Sequence, residues 1–158
     1  MRRCLPAIVL VTLFASSAAA LDLPSRKAGL WEVKMIPETT QATPPSMYMC
    51  IDAATDKLLQ EKFSGHESCS KHDVSKSGGM IVIDSICKFG NVPATTHAVF
   101  EGDFDSSYTA KISTTMEGGD KMNITMKATW QGPCKAGQKG GDVEMPGGIK
   151  LNVLDMPK

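Results

Sequence analysis

Apolar and polar residues alternate with period two along most of this chain, the signature of half-buried strands. Leu30 to Ile36 puts Trp31, Val33 and Met35 on one face and Glu32 and Lys34 on the other. Ser46 to Ile51 predicts a short second strand carrying Met47, Met49 and Cys50. The period then changes. Asp52 suits an N-cap for a helix from Ala53 to about Phe63, with Leu58, Leu59 and Phe63 as its apolar stripe.

Hairpins follow. Ser68–Ser75 and Met80–Lys88 flank Ser77-Gly78-Gly79, a register that sets Cys69 opposite Cys87 and His72 opposite Asp84. Thr95–Phe104 and Tyr108–Met116 flank Asp105-Ser106-Ser107. The most regular alternation lies in the last two strands. Tyr108, Ala110, Ile112, Thr114 and Met116, then Met122, Ile124, Met126, Ala128 and Trp130, form the inward set. Pairing Met116 with Met122 sets Tyr108 across from Trp130. A slip of one residue would bury the polar partners, so the faces are fixed.

The N-terminus reads differently. Arg2 and Arg3, the apolar run Leu5–Phe14 and Ala15-Ser16-Ser17-Ala18-Ala19-Ala20 compose a signal peptide cleaved after Ala20. The run is short of the ~20 residues that span a bilayer. The mature chain is therefore expected to be soluble and without a membrane span. Removing residues 1–20 takes away Cys4. Cys50, Cys69, Cys87 and Cys134 remain, an even set that reads as two disulfides in an exported chain. Directly opposed strand residues approach disulfide distance, which assigns Cys69–Cys87. Elimination leaves Cys50–Cys134. Residues 21–134 thus form one disulfide-stapled domain, and 135–158, rich in Gly and Lys, is expected to be a flexible tail.

Charge excludes one large class. The chain has 17 Lys+Arg against 17 Asp+Glu, a formal net charge of zero. Nucleic-acid binding draws its affinity from clustered basic residues and is not expected here.

Several segments occur in an order that resembles a known family. They are Gly29-Leu30-Trp31-Glu32-Val33 at the start, Cys50-Ile51 before a helix, and the Cys69…Cys87 hairpin. Asp105-Ser106-Ser107-Tyr108 before a Thr/Met-rich strand and Gly132-Pro133-Cys134 at the close complete the set. Together, from roughly Ala28 to Cys134, they resemble the exported bacterial family known as domain of unknown function 3617. The resemblance implies a periplasmic location in a Gram-negative bacterium. It brings no activity, so only the four cysteines carry over, as structural positions.

The candidate chemistry is thin. His66, Cys69 and His72 have metal-like spacing, but an oxidised Cys69 cannot be a ligand. Asp103-Phe104-Asp105 starts like a calcium loop yet has Tyr108 and Thr114 where such a loop needs Gly and Glu. No nucleophile motif accompanies the His72–Asp84 pair. No enzyme activity, metal or cofactor is expected. The methionine count is high, 10 in all, and Met35, Met116, Met122 and Met126 fall on inward faces, where Met is an adaptable core filler.

These readings combine into an α+β, β-dominated fold. It is a curved antiparallel sheet of about seven strands on one short helix, with two disulfides. The expected function is non-catalytic binding of a small apolar ligand or envelope component, lined by Phe100, Tyr108, Ile112, Met126 and Trp130. Two alternatives remain. One is a protein–protein module, such as an inhibitor of a cell-wall enzyme presenting loop Pro37–Pro45. The other is a Met-rich copper-binding protein.

Overall fold

The computed structural model describes residues 23–39, 43–64 and 68–156. The expected signal peptide, His66 and the middle of the Pro37–Pro45 loop lie outside the described residues.

Among the described residues, nine strands form one open antiparallel sheet. They are β1 (Gly29–Pro37), β2 (Ser46–Ile51), β3 (Cys69–Ser77), β4 (Met80–Phe89), β5 (Val92–Asp103), β6 (Ser107–Met116), β7 (Lys121–Gly132), β8 (Asp142–Glu144) and β9 (Lys150–Asn152). Their spatial order is β3-β4-β5-β6-β7-β1-β2-β8-β9. An α-helix, α1 (Asp56–Ser64), follows β2, and a 3-10 turn spans Val153–Asp155.

Alternation fixed the faces, as expected. Ala94, Ala98 and Phe100 on β5, Tyr108, Ala110 and Thr114 on β6, and Ala128 on β7 are all buried on one side, here called the inner face. Lys111, Lys127, Thr129 and Ser113 on the opposite side are exposed. The inner face continues through Ile81 and Ile83 of β4, Trp31 and Val33 of β1 and Met49 of β2 to Val143 of β8.

Two registers differ from expectation. Thr114, not Met116, pairs with Met122, so Tyr108 faces Ala128 and Trp130 faces Trp31. The loop is shorter than expected: pairing continues to Thr115–Lys121, and the Met116 N–H bonds the Asp120 carbonyl at 2.8 Å. A two-residue slip keeps every side chain on its own face, so alternation cannot detect it. In the β3–β4 hairpin, Cys69 does oppose Cys87, but an irregularity follows and a tight Gly78-Gly79 turn replaces the three-residue loop. Both glycines have positive φ, 57° and 86°, as a two-residue hairpin turn requires. His72 consequently faces Ser85, and Asp84 is left for a neighbour on β5.

Both disulfides are present. Cys69 joins Cys87 within its hairpin, and Cys50 joins Cys134 across 84 residues of sequence.

The tail expected to be flexible is a correction. Gly141 N–H bonds the Cys50 carbonyl at 2.8 Å, and Val153 N–H bonds the Gly141 carbonyl at 2.9 Å. β8 pairs with β2 through Tyr48–Glu144 and Met49–Val143, and β9 pairs with β8. Val143 and Val153 are both 1% exposed. Two short strands anchored by single buried valines explain nine strands where seven were expected.

The helix begins three residues later than its pattern suggested. Asp52 Oδ1 accepts from Ala54 N–H (3.0 Å), Thr55 N–H (2.9 Å) and the Thr55 hydroxyl (2.8 Å). These bonds close a turn that leads into α1 and hold the Asp52 carboxyl below its ordinary range, the Thr55 hydroxyl contributing most. Glu32 is lowered chiefly by the Ser46 hydroxyl, and Asp142 by the Lys139 N–H. A depressed carboxylate stabilises the fold above its unfolded value and loses that contribution as pH falls through the folded one. Thermal melting should therefore be flat near neutrality and fall below about pH 4. Asp52→Ala should cost about 1 kcal/mol at pH 7. It should also flatten part of the acid slope; an unchanged slope in a pH series of melting curves would count against this assignment.

Candidate functional site

The inner face has a filled end and an open end. At the filled end Tyr108 is the hub. Phe104 stacks on it at 4.4 Å between centroids, Trp31 lies at 5.7 Å and Phe100 at 6.4 Å. Trp31 is completely buried, its indole N–H donating to the Lys27 carbonyl at 2.8 Å. Leu59 of α1 and Val153 complete the packing.

A charged pair is buried in this end. Arg26 Nε donates to Asp56 Oδ1 at 2.7 Å, and Arg26 N–H to Oδ2 at 2.8 Å. The side chains are 6% and 5% exposed. Gln60 donates to Asp56 Oδ2 at 3.1 Å and to the Pro24 carbonyl at 3.3 Å. The arrangement ties the segment before β1 to α1. Burial pushes the Tyr108 phenol above its ordinary range, and the Arg26 charge acts against that shift. Sequence reasoning missed this pair. Its partners lie 30 residues apart, and no short-range pattern links them.

The open end is apolar but less covered. It is bounded by the β4–β5 turn, the β6–β7 loop and the end of β1. Phe89 and Val92 oppose each other at the first of these and are 55% and 45% exposed. Met122 is 44% exposed and Met35 41%. Ile112, Ile124, Met116 and Met126 are half-buried between this rim and the core. One polar row crosses the face, where the Thr96 and Thr114 hydroxyls share a hydrogen bond of 3.0 Å.

The five residues expected to line one ligand site lie around one core, Phe100 and Tyr108 within it and Ile112, Met126 and Trp130 packed against it. Phe100 and Tyr108 are packed in the filled end. Ile112 and Met126 stand at the margin of the open end, where Ile112 faces Ile124 and Met126 faces Met35. Trp130 lies at the far rim, its indole N–H on the Ala28 carbonyl at 3.1 Å and the Lys27 ammonium 3.9 Å above its ring. Gly29 makes this possible, because a Cβ there would collide with the Trp130 ring.

Other candidates resolve simply. Cys69 is spent in its disulfide and offers no thiolate. Asp103 closes its own hairpin turn, accepting from Asp105 N–H at 2.9 Å and the Ser106 hydroxyl at 2.8 Å. Asp84 pairs with His97 Nδ1 at 2.7 Å rather than with His72. That pair sits on the outer face with both side chains more than half exposed, a setting in which ion pairs contribute little. A groove of about 430 Å³ runs over the tail, lined by polar residues including Gln138, Asp142, Glu144, Lys150 and Asn152. None of the five expected lining residues touches it. No helix among the described residues is long and apolar enough to cross a membrane.

A family model described as a protein of unknown function, DUF3617, matches residues 26–134. The chain belongs to this family. The DUF3617 match starts at the buried Arg26 and stops at the disulfide-bonded Cys134, so β8, β9 and the 3-10 turn complete the core from beyond it. No curated protein and no solved structure matches the chain.

Proposed function

We propose that this DUF3617 chain is an exported, non-catalytic protein that binds a small apolar ligand along the open end of its inner face. The observation that carries the reading is the pair of exposed methionines Met122 and Met35 on the same inner face as the half-buried Ile112, Ile124 and Met126, with exposed Phe89 and Val92 farther along that face beyond the Thr96–Thr114 row. Large apolar side chains gathered on one exposed patch mark binding surfaces, and scattered ones do not. Methionines adapt to ligands of varied shape. Two disulfides favour an oxidising compartment, which supports export to the periplasm.

An environment-sensitive naphthylamine probe tests the reading, with a long-chain fatty acid as competitor. The chain should enhance probe fluorescence, and the fatty acid should reverse the enhancement. Val92→Glu and Met122→Glu should abolish it while shifting stability by no more than about 0.5 kcal/mol, since both sites are exposed. Failure of the unmodified chain to enhance the probe would sink the proposal. So would equal enhancement by both variants.

A further inference from the structure

Three of the methionines share one corner of the inner face. Met35 on β1 directly opposes Met126 on β7. Met47 on β2 opposes Val33, which places it diagonally next to Met35 on the same face. Directly opposed Cβ atoms stand about 4.5–5.5 Å apart and diagonal ones about 7–8 Å, within reach of long side chains. Core packing accounts for only part of this group. Met35 is 41% exposed and stands outside the buried cluster, while Met47 and Met126 only border it.

We propose that Met35, Met47 and Met126 form a thioether site for Cu(I). Three soft, neutral sulfur donors from adjacent strands suit a monovalent d10 ion, which accepts low coordination numbers and prefers thioether to oxygen. The surroundings favour the same choice. Val33, Pro37 and Ile124 are the apolar neighbours on this face. Nearby carboxylates are engaged elsewhere: Glu32 accepts from Ser46 at 2.7 Å and lies 3.1 Å from the Lys34 ammonium, and Glu38 accepts from Asn123 at 2.9 Å. A corner without free carboxylate or imidazole gives zinc or calcium little to bind. The site holds the ion without changing its oxidation state, and the thioethers release no protons.

The test uses the disulfide-bonded chain and Cu(I) supplied as its bicinchoninate complex under nitrogen. The chain should withdraw one equivalent of copper from the chelator, and X-ray absorption should show sulfur-only coordination. Met35→Leu, Met47→Leu and Met126→Leu preserve volume and apolar character. Each should end the withdrawal of copper, whereas Met122→Leu should not. Met47→Leu, at a position outside the apolar rim, should end copper withdrawal and keep probe binding, which separates this site from the apolar-ligand reading. No transfer from the chelator would overturn the proposal. Transfer that survives the three substitutions, or nitrogen and oxygen in the coordination shell, would overturn it equally.

Discussion

Replacing Cys50 and Cys134 together by serine should cost about 4–5 kcal/mol, more than opening the other disulfide. The reason is loop length. This bridge closes 84 residues, whereas Cys69–Cys87 closes 18, for which about 3 kcal/mol is expected. Position adds to the effect. Cys50 ends β2 beside Ile51, and its carbonyl receives the Gly141 N–H that docks the tail. Cys134 follows β7 directly and returns the chain to β2, with a short link from there to β8. Losing the bridge lengthens the path by which β8 and β9 find their edge. The Val143 and Val153 amides should then exchange with solvent far faster, while those of β5 and β6 should change only through the global loss. Urea unfolding of the two double variants measures the ranking. A larger loss for the Cys69/Cys87 pair would refute the loop-length argument. Unchanged exchange at Val153 would refute the link to tail docking.

The faces of the strands were legible from local alternation; of the disulfides, Cys69–Cys87 came from a hairpin register that the irregularity after Cys69 restores despite the shorter turn, and Cys50–Cys134 came by elimination. Lys111 outward and Ile112 inward follow from period two wherever the strand lies in the sheet. The position of Trp130 did not follow, because pairing Met116 or Thr114 with Met122 satisfies the same alternation. Only the loop hydrogen bond from Met116 to Asp120 decides between them. The tail was illegible for another reason. β8 and β9 have three residues each, too few to display a period. Their glycine-rich flanks read as linker although Val143 and Val153 are as buried as any residue of the core. At the candidate site, Ile112 and Met126 were placed on the correct face, and Trp130 shares it, diagonal to Tyr108 where the expected register set the two directly opposite. The methionine rim follows from coverage, which a sequence does not state. Met35 and Met122 share the parity of core residues, yet no described element buries them.

Asp56→Ala is expected to destabilise the fold by about 3–5 kcal/mol, because it strands the Arg26 guanidinium in the interior without its counter-charge. Arg26 has little alternative. Its Nη1 lies 3.8 Å from the Met49 sulfur, a weak acceptor, and Nη2 is buried with no hydrogen-bond partner among the described residues. Desolvation has been borne by both ions, and their attraction offsets it only while both are present. The pair should therefore be replaceable as a unit. Arg26→Met with Asp56→Leu removes both charges and the unsatisfied donor, and should recover most of the loss. A double-mutant cycle by urea unfolding separates the cases. Strong coupling is expected, with the double variant far more stable than Asp56→Ala. Additive losses would mean that Arg26 and Asp56 contribute through packing alone. One part should not recover: the Arg26 N–H also donates to Asp56 Oδ2, and leucine offers it no acceptor. The residual deficit should appear as loosening of the segment before β1, where Lys27 N–H bonds the Phe104 carbonyl at 3.0 Å and the Lys27 carbonyl holds Trp31. The ion pair thus acts as a latch. It fastens the start of the domain to α1 and closes the filled end of the inner face.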